Sequence, residues 1–127
     1  MAPAETPSGV LRIARRDLTA ARAMADPSVF DEDVWGFYLQ QATEKALKAW
    51  WLVLSPDQPP FTHNLRLLFQ MLRDQGVAIE PSIGLSRFTL FAVLRRYDEE
   101  PEQVNLDRPL WTQLCVDLLD HVASLLP

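Results

Sequence analysis

The sequence has few of the residues that identify several common classes of protein. It contains one cysteine, Cys115, in 127 residues, which excludes an internal disulfide framework and favours a reducing compartment. With only two histidines and no cysteine cluster, a metal site is not expected. The four glycines form no phosphate-binding loop, and we find no paired-carboxylate or Ser-His-Asp pattern. The sequence therefore carries no signature of a common enzyme class.

Long apolar runs are also missing. The longest, ALKAWWLVL at residues 46–54, includes Lys48 and is far too short to cross a bilayer. The first ten residues have neither the basic nor the apolar region of a signal peptide, so we expect a cytoplasmic protein with no membrane partner. The net charge of −5 argues against non-specific binding of nucleic acid. Ten of the twelve cations are nevertheless arginines, whose planar group suits phosphate or carboxylate.

The remaining sequence is typical of one helical domain. A chain of this length fits a single domain, and its ten prolines fall mainly between apolar runs. Apolar residues recur three and four positions apart in five segments, and no segment alternates as a strand would. We predict an all-α fold, an up-and-down antiparallel bundle of about five helices, with a flexible tail at 1–9 and the helical domain at 10–127. The helices are expected to begin near Val10, Asp33, Thr62 or Asn64, Pro81 and Leu110.

The second predicted helix carries an unusual set of polar residues. Its apolar stripe runs from Trp35 through three alanines to Val53, but the same turns also hold Gln40 and, beside it, Gln41, Glu44, Lys45 and Lys48. Helical periodicity alone favours a solvated face with Glu–Lys pairs four residues apart. The alternative is that these side chains form a site.

Two further stretches are candidates for chemistry. His63, in THNL, either caps a helix or serves a site, and the second role needs a neighbour that fixes its tautomer and pKa. The stretch LRRYDEE, residues 94–100, holds Arg95, Arg96 and Tyr97. These three residues either end a helix or bind an anion such as a nucleotide phosphate, with the aromatic ring beside it.

The adjacent indoles Trp50 and Trp51 suggest a partner surface. Neighbouring residues on a helix point in different directions, so we expect one of the two to cover something other than the core of its own chain. The simplest such partner is a second copy in a twofold dimer.

Four stretches in this order resemble the HEPN family of small helical domains: ARRDLTAARAMA, FYLQQATEKALKAWW, THNLRLLFQML and FTLFAVLRRYDEE. The core of the second, QQATEKALKA at residues 40–49, is its most specific part. The resemblance implies a helical bundle that usually forms homodimers and associates with nucleotides or RNA, often beside a small nucleotidyltransferase. By motif position, it implies a polar groove made by Gln41, Glu44, Lys45, Lys48, His63, Arg95, Arg96 and Tyr97.

One departure from the family bears on catalysis. Many HEPN ribonucleases resemble one another in an arginine followed by four to six residues and then a histidine. The positions that would complete this motif hold Pro, Asp and Gln at 56–58, before His63, and Leu, Cys and Val at 114–116, before His121. This departure therefore argues against an enzymatic function.

Three hypotheses follow. The first is a non-catalytic nucleotide-binding or protein-interaction module that takes an ATP-like ligand, forms a homodimer and pairs with a nucleotidyltransferase-type antitoxin. The second is a ribonuclease toxin with a divergent active site, and the third is a purely structural helical adaptor. The first requires the lysines of the second helix and the Arg95–Arg96 pair to meet at one anion-binding cleft.

Overall fold

Helices make up all the regular secondary structure in the described residues, which are 5–92 and 104–127 of a computed structural model. In chain order they are α1 (Pro7–Ala23), α2 (Glu32–Leu54), α3 (Leu65–Asp74), a 3₁₀ helix (Ile83–Ala92) and α4 (Arg108–Ser124). No strand occurs in these ranges, so the predicted all-α bundle of five helices is confirmed.

The helix ends follow local capping chemistry. Thr6, Asn64 and Asp107 each accept a hydrogen bond from a backbone N–H in the first turn of α1, α3 and α4, at 3.1, 3.3 and 3.1 Å. Such caps satisfy donors that have no partner inside the helix. Because Thr6 caps α1, residues 7–9 are helical, whereas the sequence had placed them in a flexible tail. Gly76, at φ +85°, follows the end of α3, where this backbone conformation favours glycine.

Helix α2 is the centre of the fold, because it contacts α1, α3, the 3₁₀ helix and α4. Its predicted apolar stripe is largely correct: Trp35 and the alanines at 42, 46 and 49 are completely buried. Leu39 and Leu47 are buried as well, so the helix is covered on more than one face. This wider burial also takes polar residues of α2 out of water.

The fourth predicted helix is a 3₁₀ helix and begins at Ile83 rather than near Pro81. Its buried residues are Leu85, Phe88 and Phe91, which recur every third position. A 3₁₀ helix has three residues per turn, so these side chains share one face. The ring of Phe88 meets the ring of Trp35 at a centroid distance of 5.4 Å.

Both adjacent tryptophans have contacts within their own chain. Trp50 is buried, and its ring lies edge-on to His121 at 4.9 Å. Trp51 is half-buried against the core, and its indole N–H donates to the Asp57 carbonyl at 3.0 Å. The pair is thus accounted for without a second subunit, and the homodimer stays a prediction that these residues do not support.

Candidate functional site

The polar residues of α2 are not an ordinary solvated face. Gln40 is completely buried and Glu44 is 3% exposed, in the middle of the helix that the other elements surround. A buried carboxylate is costly unless it is paired and hydrogen-bonded. The solvated-face interpretation is therefore wrong for these two residues, and their partners explain how the burial is tolerated.

Glu44 is the hub of a hydrogen-bonded cluster. Its Oε1 accepts from Gln40 Nε2 at 3.0 Å and contacts His63 Nδ1 at 2.7 Å. Its Oε2 accepts from Lys48 Nζ at 3.1 Å, which is also an ion pair between residues four apart. Gln40 Nε2 donates a second time, to the His63 carbonyl at 3.3 Å. The cluster therefore ties α2 to the loop before α3.

These contacts keep Glu44 ionised. Burial acts to raise the pKa of Glu44, but the hydrogen bonds from His63 and Gln40 and the charge of Lys48 outweigh it. The net result is a pKa below the ordinary glutamate value. Hydrogen bonds and opposite charges favour the ionised form, which explains the direction.

The Glu44 carboxylate also determines the state of the His63 ring. An ionised carboxylate can only accept hydrogen bonds, so the 2.7 Å contact requires that His63 Nδ1 carry the hydrogen. Nε2 then either offers a lone pair or, in the protonated ring, donates. Asn64, not His63, caps α3, and His63 has the neighbour that a functional role required. Its side chain is half exposed, so the ring is reachable from solvent.

A second branch of the cluster extends to α1. Gln41 Nε2 donates to Gln40 Oε1 at 2.6 Å, and Lys45 Nζ donates to Gln41 Oε1 at 2.5 Å. Lys45 also pairs with Asp17 of α1 at 3.7 Å. Burial raises the pKa of Asp17, and Lys45 opposes this only in part. We call the seven residues of both branches the Glu44 cluster: Asp17, Gln40, Gln41, Glu44, Lys45, Lys48 and His63.

A groove of about 260 Å³ opens beside the Glu44 cluster. A polar wall comes from α2 and His63, and an apolar wall comes from α1 and the loop of residues 59–61. Phe61 is fully exposed at this wall. Lys48 Nζ lies 5.9 Å from the centre of the Phe61 ring, within reach of a cation–π interaction. The groove lining is Glu5, Val10, Ile13, Gln41, Glu44, Lys45, Lys48, Pro59, Pro60, Phe61, Thr62 and His63.

The structure brings together five of the eight residues predicted for the site, since Gln41, Glu44, Lys45, Lys48 and His63 all line this groove. The other three, Arg95, Arg96 and Tyr97, lie outside the described residues. Their convergence with the lysines therefore stays a prediction.

Sequence reasoning missed three contributors to the site. Gln40 belongs to the polar strip of α2 but not to the groove that the resemblance implies, and neither Asp17 nor Phe61 is among the predicted residues. The spacing of Gln40 four residues before Glu44 was a usable signal. Asp17 could not be found from the sequence, because its contact with Lys45 joins two helices. For Phe61, an aromatic residue beside two prolines in a short loop was a weak signal.

Three further findings on the described ranges concern metal binding, membrane spans and the single thiol. Residues 5–92 and 104–127 contain no group of three or more His, Cys, Asp or Glu side chains placed to hold a metal ion. None of the helices in those ranges combines the length and apolar character that crossing a membrane requires. Cys115 is completely buried, and burial raises the pKa of its thiol to about 12 despite the Thr43 contact.

Comparison with known proteins gives a match at the level of a family. The family model described as HEPN domain matches residues 8–113, nearly the whole chain. No curated protein and no solved structure matches the chain.

Proposed function

This chain belongs to the HEPN domain family, and on that premise we propose that it is a non-catalytic nucleotide-binding module. The observation that carries the proposal is the groove at the Glu44 cluster. Side chains that are far apart in sequence, from α2 and from the loop before α3, line one solvent-accessible cavity there. Ligand sites are concave and combine apolar walls with a few placed polar groups, which is the composition of this groove.

The chemistry of the lining suits a ligand with several polar atoms. Lys48 and Lys45 have further donor hydrogens beyond those used by Glu44 and Gln41, because an ammonium group carries three. His63 offers Nε2 as acceptor or donor. The proposal adds Arg95 and Arg96 as the groups that contact the phosphates, with Tyr97 beside them.

Titration calorimetry with ATP and the other nucleoside triphosphates tests this proposal. Wild-type protein is expected to bind at least one of them, and Arg96→Ala to bind it at least about 10-fold more weakly, since a charge-assisted contact is lost. Arg73→Ala is the matched control, because Arg73 is outside the groove and pairs with Glu80 at 3.7 Å. Undetectable binding by the wild type would refute the nucleotide proposal.

The assembly is part of the same proposal. We propose a homodimer that pairs with a nucleotidyltransferase-type antitoxin, and the support for both is the family resemblance. Light scattering of the purified protein tests the dimer, whose expected mass is twice the 14.5 kDa of one chain. Affinity purification from the native cell tests the partner, and recovery of no nucleotidyltransferase would count against it.

A second candidate, a ribonuclease with a divergent active site, is favoured by one observation. The 2.7 Å contact between Glu44 and His63 Nδ1 orients the imidazole as a carboxylate orients a catalytic base. In this candidate, Nε2 of His63 accepts the proton of a ribose 2′-hydroxyl. Incubation of RNA with the purified protein separates the two functions. Cleavage abolished by His63→Ala but retained by His121→Ala would establish the ribonuclease and refute the non-catalytic module.

A further inference from the structure

The charges around the groove do not favour a phosphate chain inside it. Lys45 and Lys48 each lie within 4 Å of their own carboxylate, those of Asp17 and Glu44 respectively. Glu5 adds a further negative charge to the lining. The groove lining thus holds two lysines and two glutamates, which sum to no net charge when His63 is neutral. An anion is not attracted to a cavity whose cations are already paired with carboxylates.

The apolar wall presents an aromatic ring to solvent. Phe61 is 100% exposed, and Ile13, which lines the same groove, is 37% exposed. An aromatic face that is open to a cavity is a stacking surface for a planar heterocycle, and such stacking tolerates any base. Lys48, 5.9 Å from the Phe61 ring centre, holds a cation close to that surface.

The polar wall carries both donors and acceptors. Glu44 and Gln41 supply acceptor oxygens, while Lys45 and Lys48 donate and His63 Nε2 can do either. A nucleobase edge also alternates donors and acceptors, unlike a phosphate chain, which only accepts. The volume of about 260 Å³ lies just below the range of roughly 300–1,000 Å³ typical of sites that enclose a drug-sized ligand. A base with part of its ribose suits this space better than a whole triphosphate.

We propose that the groove binds the nucleoside part of the ligand, with the base stacked on Phe61 and its edge facing the polar wall. The phosphates extend out of the groove. This inference rests on the proposed nucleotide binding and names the part of the ligand that this cavity recognises. It makes Phe61 the main binding residue, ahead of the lysines.

The test is a calorimetric titration of the full chain with three kinds of probe: the four ribonucleosides, the matching triphosphates and inorganic triphosphate. Each is measured with wild type, Phe61→Ala and the control Val29→Ala. Phe61 and Val29 are both largely exposed, so neither truncation is expected to change the fold. Thermal unfolding of the variants checks that it is unchanged.

If the groove holds the nucleoside, at least one nucleoside binds within about 10-fold of the affinity of its triphosphate. Phe61→Ala weakens the binding of the nucleoside and of its triphosphate by about 10-fold or more, which is within the range for loss of one stacked base. Val29→Ala leaves both affinities unchanged. Binding of triphosphates and inorganic triphosphate without nucleosides, or equal binding by Phe61→Ala and wild type, overturns the inference but leaves nucleotide binding standing. Binding of no nucleoside and no nucleotide refutes both.

Discussion

Replacing Glu44 with glutamine tests whether the Glu44 cluster stabilises the fold. The substitution keeps the shape of the side chain and removes its charge. In the wild type, Oε1 of Glu44 accepts hydrogen bonds from Gln40 Nε2 and His63 Nδ1, and Oε2 accepts one from Lys48 Nζ. A glutamine amide has one acceptor oxygen, and its NH₂ group can only donate. Wherever its NH₂ group lies, it faces at least one existing donor.

The magnitude follows from these contacts and their burial. A hydrogen bond to a charged group contributes about 1.5–3 kcal/mol, and removing one partner of a buried ion pair costs about 3–5 kcal/mol. The side chains of Glu44 and Lys48 are 4% and 14% exposed, but the His63 side chain is 50% exposed and can turn to water. We therefore expect Glu44→Gln to lower the free energy of unfolding by about 2–4 kcal/mol. That is a large part of the ~5–15 kcal/mol of a typical domain.

Urea denaturation followed by circular dichroism measures this difference. The matched control is Glu80→Gln, because Glu80 pairs with Arg73 at 3.7 Å on the surface, with side chains 69% and 49% exposed. An exposed pair of this kind contributes about 0–1 kcal/mol. If Glu44→Gln and Glu80→Gln destabilise the protein equally, the cluster does not stabilise the fold as described and the reasoning from its geometry is refuted.

Three further predictions concern pH, the thiol and packing. Because the folded-state pKa of Glu44 is lowered, its stabilisation is complete above the ordinary value of 4.5 and is lost as the pH falls through the folded value. Unfolding measured from pH 6 to 3 should therefore show a steeper loss for wild type than for Glu44→Gln, and parallel curves would contradict this. Cys115, buried and with its pKa raised to about 12, should resist a thiol reagent at pH 8 until the protein is unfolded, so rapid labelling of native protein would be contrary evidence. Gly36→Ala should destabilise by about 1–3 kcal/mol in urea denaturation despite the better helix propensity of alanine, because its Cβ would lie 2.3 Å from the Phe91 ring. Gly84→Ala, whose Cβ would meet its nearest neighbour at 3.5 Å, is the control, and equal stability of the two variants would show that the ring moves freely.

The sequence was sufficient to predict the helical segments but not the type of every helix. Apolar spacing predicted five helical segments, and the stripe of α2 is buried as expected at Trp35 and the three alanines. The sequence of the fourth segment is compatible with an α-helix or a 3₁₀ helix, because apolar residues three positions apart, such as Leu85 and Phe88, share a face in both. Only the burial of Phe91, three further along, identifies the 3₁₀ period.

The site was harder to predict, because periodicity describes one helix at a time. It identified the polar strip of α2 but could not show that Glu44 is covered by neighbouring elements. The contact of Glu44 with His63 spans 19 residues, and the contact of Lys45 with Asp17 joins two helices. Only the family resemblance placed the α2 residues and His63 in one site, and it did so without Phe61.

The proposed function depends on nucleotide binding in the groove at the Glu44 cluster. Amide chemical-shift mapping on the ¹⁵N-labelled chain, with ATP added stepwise, tests this binding. Binding in the groove should give saturable shifts concentrated at residues 41–48 and 61–63, which include lining residues of the groove. No shifts at millimolar ATP, or shifts confined to a separate, mainly apolar cavity lined by Trp50, Leu118 and His121, would contradict it.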